Sequence, residues 1–271
     1  MARMDKKSTL EWHMDAGVDE ATGDQPVNHF KNPESAIGNQ KAAFPPPAAP
    51  QSPIPNSKPL HHSPSAAMAA ARELADKATT LAELKAAVEG FEGCALKKTA
   101  SKTIFSDGNP QALVMVIGEA PGAQEDIQGI PFCGPSGQLL DRTLASIGLT
   151  RAENTYISNT VFWRPPGNRQ PTPEETAICL PFVEKHIALI HPKLLLLSGG
   201  VATTTMLKTD AAMSRMRGKF YEYGNPYLKA PIPVAVTYHP SYLLRSPGQK
   251  RLAWGDMLMI KEFLNRLKLK E

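Results

Sequence analysis

Three stretches of the chain gather side chains with catalytic and ligand-binding chemistry. The first reads Gly118-Glu119-Ala120-Pro121-Gly122, with Gln124-Glu125-Asp126 just beyond. The second carries Ser158-Asn159, then Arg164-Pro165-Pro166-Gly167-Asn168-Arg169. The third is His239-Pro240-Ser241-Tyr242-Leu243-Leu244-Arg245. Together they supply carboxylates, an amide with one acceptor and two donors, an imidazole and arginines. Each stretch follows an apolar run of strand length. In open parallel sheets, ligands bind just beyond the carboxyl ends of the strands, so these groups converge on one sheet edge. A nucleotide or phosphate-ester hydrolase would want metal-ligand carboxylates or a Gly-Lys-Ser/Thr phosphate loop, and the chain has neither pattern.

The elements that must hold these groups follow from apolar patterning. Ala112–Ile117, Asn154–Val161, Lys193–Ser198 and Pro233–Tyr238 read as buried parallel strands. Helical stretches separate them: Ser136–Ile147, Pro173–Ile190, Val201–Leu207 and Gln249–Leu267. Strand–helix alternation predicts an α/β fold, a three-layer α/β/α sandwich around a central four-stranded parallel sheet. Two more helices are predicted ahead of it. Ala66–Ala78 is alanine-rich. Leu81–Phe91 follows Thr80, with Glu83 three residues on, as in a capping box. Residues 1–64 hold ten of the 25 prolines and read as a disordered tail, a linker or a polyproline segment for a partner. Residues 65–271 form the folded domain.

Composition narrows the class. The chain has 271 residues, 42% hydrophobic and 21% charged, with a net charge of +4, which permits a polyanionic partner. No apolar run approaches the roughly 18 residues of a membrane span, and the N-terminus lacks an apolar signal core. A cytoplasmic monomer with no membrane partner is the expectation. Cys94, Cys133 and Cys179 are too few and too scattered for a disulfide framework.

The order GEAPG, ED, GIPFCGPSGQLLD, SNTVFWRPPGNRQPTPEE and HPSYLLR resembles the type-four, iron–sulfur uracil-DNA glycosylases, from about Cys94 to the C-terminus. The resemblance implies a repair enzyme that flips uracil out of DNA and hydrolyses its N-glycosidic bond, leaving an abasic site. Its partner is uracil-containing DNA. A nucleic-acid-binding module that has lost catalysis is the alternative. Under this resemblance the catalytic residues are His239, Glu119 and Asn159. His239 donates to uracil O2 as charge builds on the leaving base, and the Asn159 amide reads N3–H and O4. Gly118, Ala120, Pro121 and Gly122 shape the base-binding loop. Phe132, on its own a plausible core aromatic, becomes the platform under the flipped base. The attacking water is held by Glu119, Glu125, Asp126 or a backbone carbonyl. Arg164, Arg169, Arg245 and Ser241 suit phosphate contacts, although each arginine equally suits a surface ion pair. Leu243 or Leu244 fills the gap left by the flipped nucleotide, unless both are buried.

The chain departs from the family at its cofactor. The family's [4Fe–4S] cluster takes four cysteine ligands. Cys94 and Cys179 match two of them, whereas Phe91 and Trp163 stand at the other two. Two thiolates cannot hold a cluster that needs four ligands, and Cys133 sits in the base-stacking motif. The expectation is therefore no cofactor and no metal. Apolar packing would fill the vacated site, and Cys94 and Cys179 would be buried thiols or a close pair.

Overall fold

The computed structural model describes residues 63–268. The proline-rich segment lies outside them, apart from Ser63 and Pro64.

The predicted alternation is present. Strands β2 (Val114–Gly118), β3 (Thr155–Asn159), β4 (Leu194–Ser198) and β6 (Ile232–Thr237) are parallel. Two short antiparallel strands cap the edges: β1 (Asp107–Gly108) on β3, and β5 (Phe220–Tyr223) on β6. The sheet thus has six strands in the order β1-β3-β2-β4-β6-β5. This corrects the expected count of four, while the parallel centre is as expected. The chain steps from β2 outward to β3, then returns to the other side of β2 as β4. The crevice that this reversal opens lies beyond the carboxyl ends of β2 and β4, where ligands sit in such sheets.

Every residue of β2, β3 and β4 is buried, because helices cover both faces. Successive side chains point to opposite faces of a strand. Met115, Ile117, Leu195 and Leu197 accordingly enter one core cluster, and Val114, Val116, Leu194 and Leu196 the other. The first face is covered by α1 (Pro64–Lys77), α2 (Leu81–Gly90), α5 (Pro173–Ile190) and α6 (Gly200–Leu207). The second is covered by α4 (Pro135–Ala145) and α9 (Lys250–Lys268). The capping box of α2 forms as expected: Thr80 accepts from the Glu83 N–H while the Glu83 carboxylate accepts from the Thr80 N–H. Three short helices line the strand ends: α3 (Ala123–Gln128), α7 (Met213–Met216) and α8 (Pro240–Arg245). No helix among the described residues is long and apolar enough to cross a membrane.

Phe91 and Trp163 lie in the first core, 4% and 1% exposed. The Phe91 ring meets Phe182 edge-on at 5.2 Å between centroids, and Phe162 stands edge-on to both Phe182 and Trp163. The Trp163 indole donates to Thr103 Oγ1 at 2.9 Å, so its one polar atom is satisfied. Buried aromatic rings in mutual contact occupy this region. Phe91→Ala is expected to destabilise the protein by about 3–5 kcal/mol, the usual cost of emptying a buried phenylalanine site. Thermal or urea unfolding measures it, and a change within error would mean that the ring packs nothing.

Candidate active site

The carboxyl ends of β2, β4 and β6 open onto a cleft of about 850 Å³. Glu119, Phe132, His239, Ser241 and Arg245 line it, together with Ala120, Pro121 and Gly122 of the first loop. Side chains from three separated stretches therefore meet at one place.

His239 is the residue before α8 and caps that helix. The Ser241 N–H donates to His239 Nδ1 at 3.2 Å, and Ser241 Oγ lies 2.8 Å from the same nitrogen. A nitrogen that accepts a backbone N–H carries a lone pair, so the ring proton of neutral His239 sits on Nε2. Burial, with a smaller contribution from the Arg245 charge, pushes the His239 pKa down to about 4. At neutral pH the imidazole is therefore an uncharged donor with a fixed tautomer. Ser241, expected on a phosphate, instead holds His239. Behind the strand, Asp256 on α9 accepts from Thr237 Oγ1 at 2.9 Å and pairs with Arg217 at 2.8 Å, which anchors the last residue of β6.

Asn159 ends β3 in register with Gly118. It is 1% exposed, and its Oδ1 has no hydrogen-bond partner among the described residues. An orphaned buried amide oxygen costs about 1–3 kcal/mol and calls for an explanation such as a ligand. Asn159 does not line the cleft itself; it lies next to the Phe132 ring, which does. A Cβ on Gly118 would stand 2.4 Å from both Asn159 Oδ1 and Phe132 Cζ, so only glycine lets the amide and the ring close together there. Phe132 is 6% exposed, and its ring lies 5.5 Å from the His239 ring between centroids.

The carboxylates divide by role. Glu125 accepts from the N–H groups of Gly122, Cys133 and Gly134 at 3.0–3.1 Å, tying the first loop to the Phe132 loop. Asp126 is 5% exposed and accepts from the N–H groups of Ser101 and Lys102 at 2.8 and 3.1 Å. Neither is free to hold a water as a first duty. Glu119 lines the cleft; Thr160 Oγ1 donates to its backbone carbonyl at 2.6 Å, while its carboxylate accepts no hydrogen bond among the described residues. Burial raises its pKa, offset in part by the Arg245 charge.

The remaining expected contacts separate as well. Arg169 is committed to Glu175 through two hydrogen bonds of 2.7 and 2.8 Å. Arg164 donates to Asn168 Oδ1 at 2.8 Å and stands 4.0 Å from Asp126. Arg245 makes no side-chain hydrogen bond among the described residues. Leu243, expected to face the DNA, is 4% exposed and Leu244 is 40% exposed. This corrects the choice between the two, because the turn of α8 puts Leu243 inside. The cleft also has lining that the motifs did not mark: Gly199 and Gly200 after β4, Met213 and Ser214 at α7, and Tyr238 and Tyr242. The pair Gly199-Gly200 at a strand end is the signal that could have marked the β4 part of this wall.

The position expected for an iron–sulfur cluster does not fit one. Cys94 and Cys179 are fully buried neighbours whose thiols interact. That interaction, together with burial, holds the Cys179 thiol well above its ordinary range. The other two ligand positions are the packed aromatics Phe91 and Trp163. No group of three or more His, Cys, Asp or Glu residues able to hold a metal occurs among the described residues.

A doubly covered parallel sheet with a neutral histidine and an aromatic ring in one cleft beyond its strand ends, and a buried amide with an unpartnered oxygen next to that ring, defines an α/β protein with a polar-aromatic cleft at its carboxyl edge. Residues 105–260 match the family described as the uracil DNA glycosylase superfamily. The chain is 37% identical over 186 residues to a type-4 uracil-DNA glycosylase of Saccharolobus solfataricus, covering 66% of this chain and 83% of that one. It is 36% identical over 177 residues to a type-4 uracil-DNA glycosylase of Archaeoglobus fulgidus, covering 64% and 87%. A type-4 uracil-DNA glycosylase of Thermotoga maritima is 34% identical over 182 residues, covering 66% and 92%. The chain belongs to the uracil DNA glycosylase superfamily.

Proposed function

We propose that this protein hydrolyses the bond between uracil N1 and deoxyribose C1′ in DNA, releasing uracil and leaving an abasic site. The observation that carries this reading is the Phe132 ring with the fixed His239 donor on one side and the unpartnered Asn159 amide oxygen near its tip. As the C1′–N1 bond breaks, the electron pair goes to the base and the sugar becomes cation-like. A preorganised neutral donor at uracil O2 stabilises that charge without reorganisation. Asn159 accepts from N3–H and donates to O4. The base stacks on Phe132. The ionised Glu119 carboxylate accepts a hydrogen bond from the attacking water and takes its proton as the water oxygen bonds to C1′, while uracil leaves with the electron pair of the broken C1′–N1 bond. Arg245, free of protein partners among the described residues, meets a phosphate, and the exposed Leu244 fills the space vacated in the duplex. Phe91 and Trp163 support a protein that works without an iron–sulfur cluster.

Release of uracil from a labelled oligonucleotide, with a cytosine oligonucleotide as control, tests the reading. Uracil is expected to leave in the presence of chelator. Binding without release would make the chain a catalytically silent nucleic-acid-binding module. Release that stops with chelator and returns with a metal would overturn the cluster-free reading. The same assay across pH tests Glu119. A group that must be ionised loses activity as pH falls through its pKa. The acid limb is therefore expected above the ordinary carboxylate range, in line with the raised Glu119 pKa. Glu119→Gln should lower the rate and abolish that limb; a limb unchanged in the variant would assign it elsewhere.

A further inference from the structure

Arg151 carries no motif, yet its guanidinium makes four hydrogen bonds beside the site. It lies between α4 and β3, and its side chain is 18% exposed. Nε donates to Asp141 Oδ1 at 2.8 Å, and Nη1 donates to Asp107 Oδ2 and to the Pro131 carbonyl, both at 2.8 Å. Nη2 donates to the Phe132 carbonyl at 2.6 Å. The two carbonyls belong to the peptide groups immediately before and after the Phe132 Cα. Phe132 has a φ of 52°, in the left-handed region that non-glycine residues rarely adopt. Such a backbone persists where its surroundings over-determine it, and such residues cluster at functional sites.

The rest of the loop is held to match. Glu125 takes the N–H groups of Cys133 and Gly134. From behind, α4 presses on the same peptide. A Cβ on Gly137 would stand 1.6 Å from the Phe132 carbonyl oxygen, so glycine is required for that approach. Asp107 and Asp141 hold the guanidinium from the outer side, with side chains 39% and 46% exposed. A salt bridge alone would need only the carboxylates. The two further donors go to the pair of carbonyls that sets both torsions of Phe132.

We propose that Arg151 is a positioning residue for base excision: it fixes the backbone on both sides of Phe132, so that the ring is presented over Gly118 beside His239 as the stacking surface. This rests on the reading that Phe132 stacks on the flipped base. Arginine is required because its planar fork addresses four acceptors at once, whereas a lysine ammonium has three donors on one nitrogen.

A double-mutant cycle tests this, using Arg151→Lys, Arg151→Gln, Phe132→Ala and the paired variants. Single-turnover uracil release is the readout, with melting temperature and affinity for uracil-free DNA measured alongside. A stacking surface displaced by about an ångström costs up to about 10²-fold in rate. Arg151→Gln is expected to approach that loss and Arg151→Lys to recover part of it, with affinity for uracil-free DNA unchanged. In the Phe132→Ala background both Arg151 changes should have little effect, because the residue they position is gone. An equal fold-loss with and without the Phe132 ring would overturn the proposal and leave the stacking reading intact. A Phe132→Ala protein as fast as the parent would instead remove the stacking reading, and with it the platform that Arg151 is said to position. If Arg151→Gln does not fold, Asp141→Asn, which weakens the hold on Nε, takes its place with the same two outcomes.

Discussion

His239→Ala is expected to lower the single-turnover rate of uracil release by about 10²–10³, the effect of removing one preorganised donor from a site where charge develops. The structure gives the reason in three steps. The Ser241 N–H occupies Nδ1, so the proton is on Nε2. Burial holds the imidazole pKa at about 4, so the ring is uncharged wherever the assay is run near neutrality. A base stacked on Phe132 in the cleft would displace water from the donor, which makes it worth more than it would be in solvent. Affinity for DNA should change little, since contacts with the phosphate backbone supply most of it. The rate in the parent enzyme should likewise show no inflection near the ordinary histidine pKa of about 6.5. A loss in binding as large as the loss in rate would place His239 on the DNA backbone instead.

Much of this was legible in the sequence, for physical reasons that also mark where legibility ends. Strands covered on both faces read as continuous apolar runs, so the four parallel strands stood out. The edge strands did not: β1 is two residues long, and β5 exposes alternate side chains as Phe-Tyr-Glu-Tyr. The strand-end rule placed Glu119, Asn159 and His239 along one edge of the sheet, because parallel topology sends every carboxyl end to one side. It could not tell a working carboxylate from a structural one. Glu125 and Asp126 look like a solvated helix start, and only tertiary contacts turn them into clamps for the Gly122, Cys133 and Ser101 N–H groups. Leu243 and Leu244 are equivalent in sequence until the phase of α8 buries one of them. The helix itself was hidden in the HPSYLLR run, although Pro240 in the first turn is a helix-start signal. Arg151 was out of reach altogether. Its partners Asp107, Pro131, Phe132 and Asp141 converge on it only in the folded chain.

The other large effect is expected at Asn159, and it follows from hydrogen-bond polarity. Uracil presents a donor at N3 and an acceptor at O4. Cytosine presents the reverse, an acceptor at N3 and a donor at N4. The Asn159 amide is buried, and no protein hydrogen bond to its Oδ1 occurs among the described residues, which is why the base is proposed as its partner. Asn159→Asp keeps the shape and removes the donor, setting a carboxylate oxygen against uracil O4. Each buried group left without a partner costs about 1–3 kcal/mol, and repulsion between the two oxygens adds to that. Uracil excision should therefore fall by about 10²-fold or more at single turnover. Cytosine gains one good bond, from its N4 amine to the carboxylate. Its N3 lone pair still faces the other oxygen unless the introduced acid is protonated, and protonation grows as pH falls. The variant should thus release cytosine weakly, faster at acidic than at neutral pH. Both bases are measured on matched oligonucleotides under excess enzyme, from pH 5 to 8. An Asn159→Asp protein that removes uracil at the parent rate would take Asn159 out of base reading and leave its buried amide oxygen without a ligand to explain it.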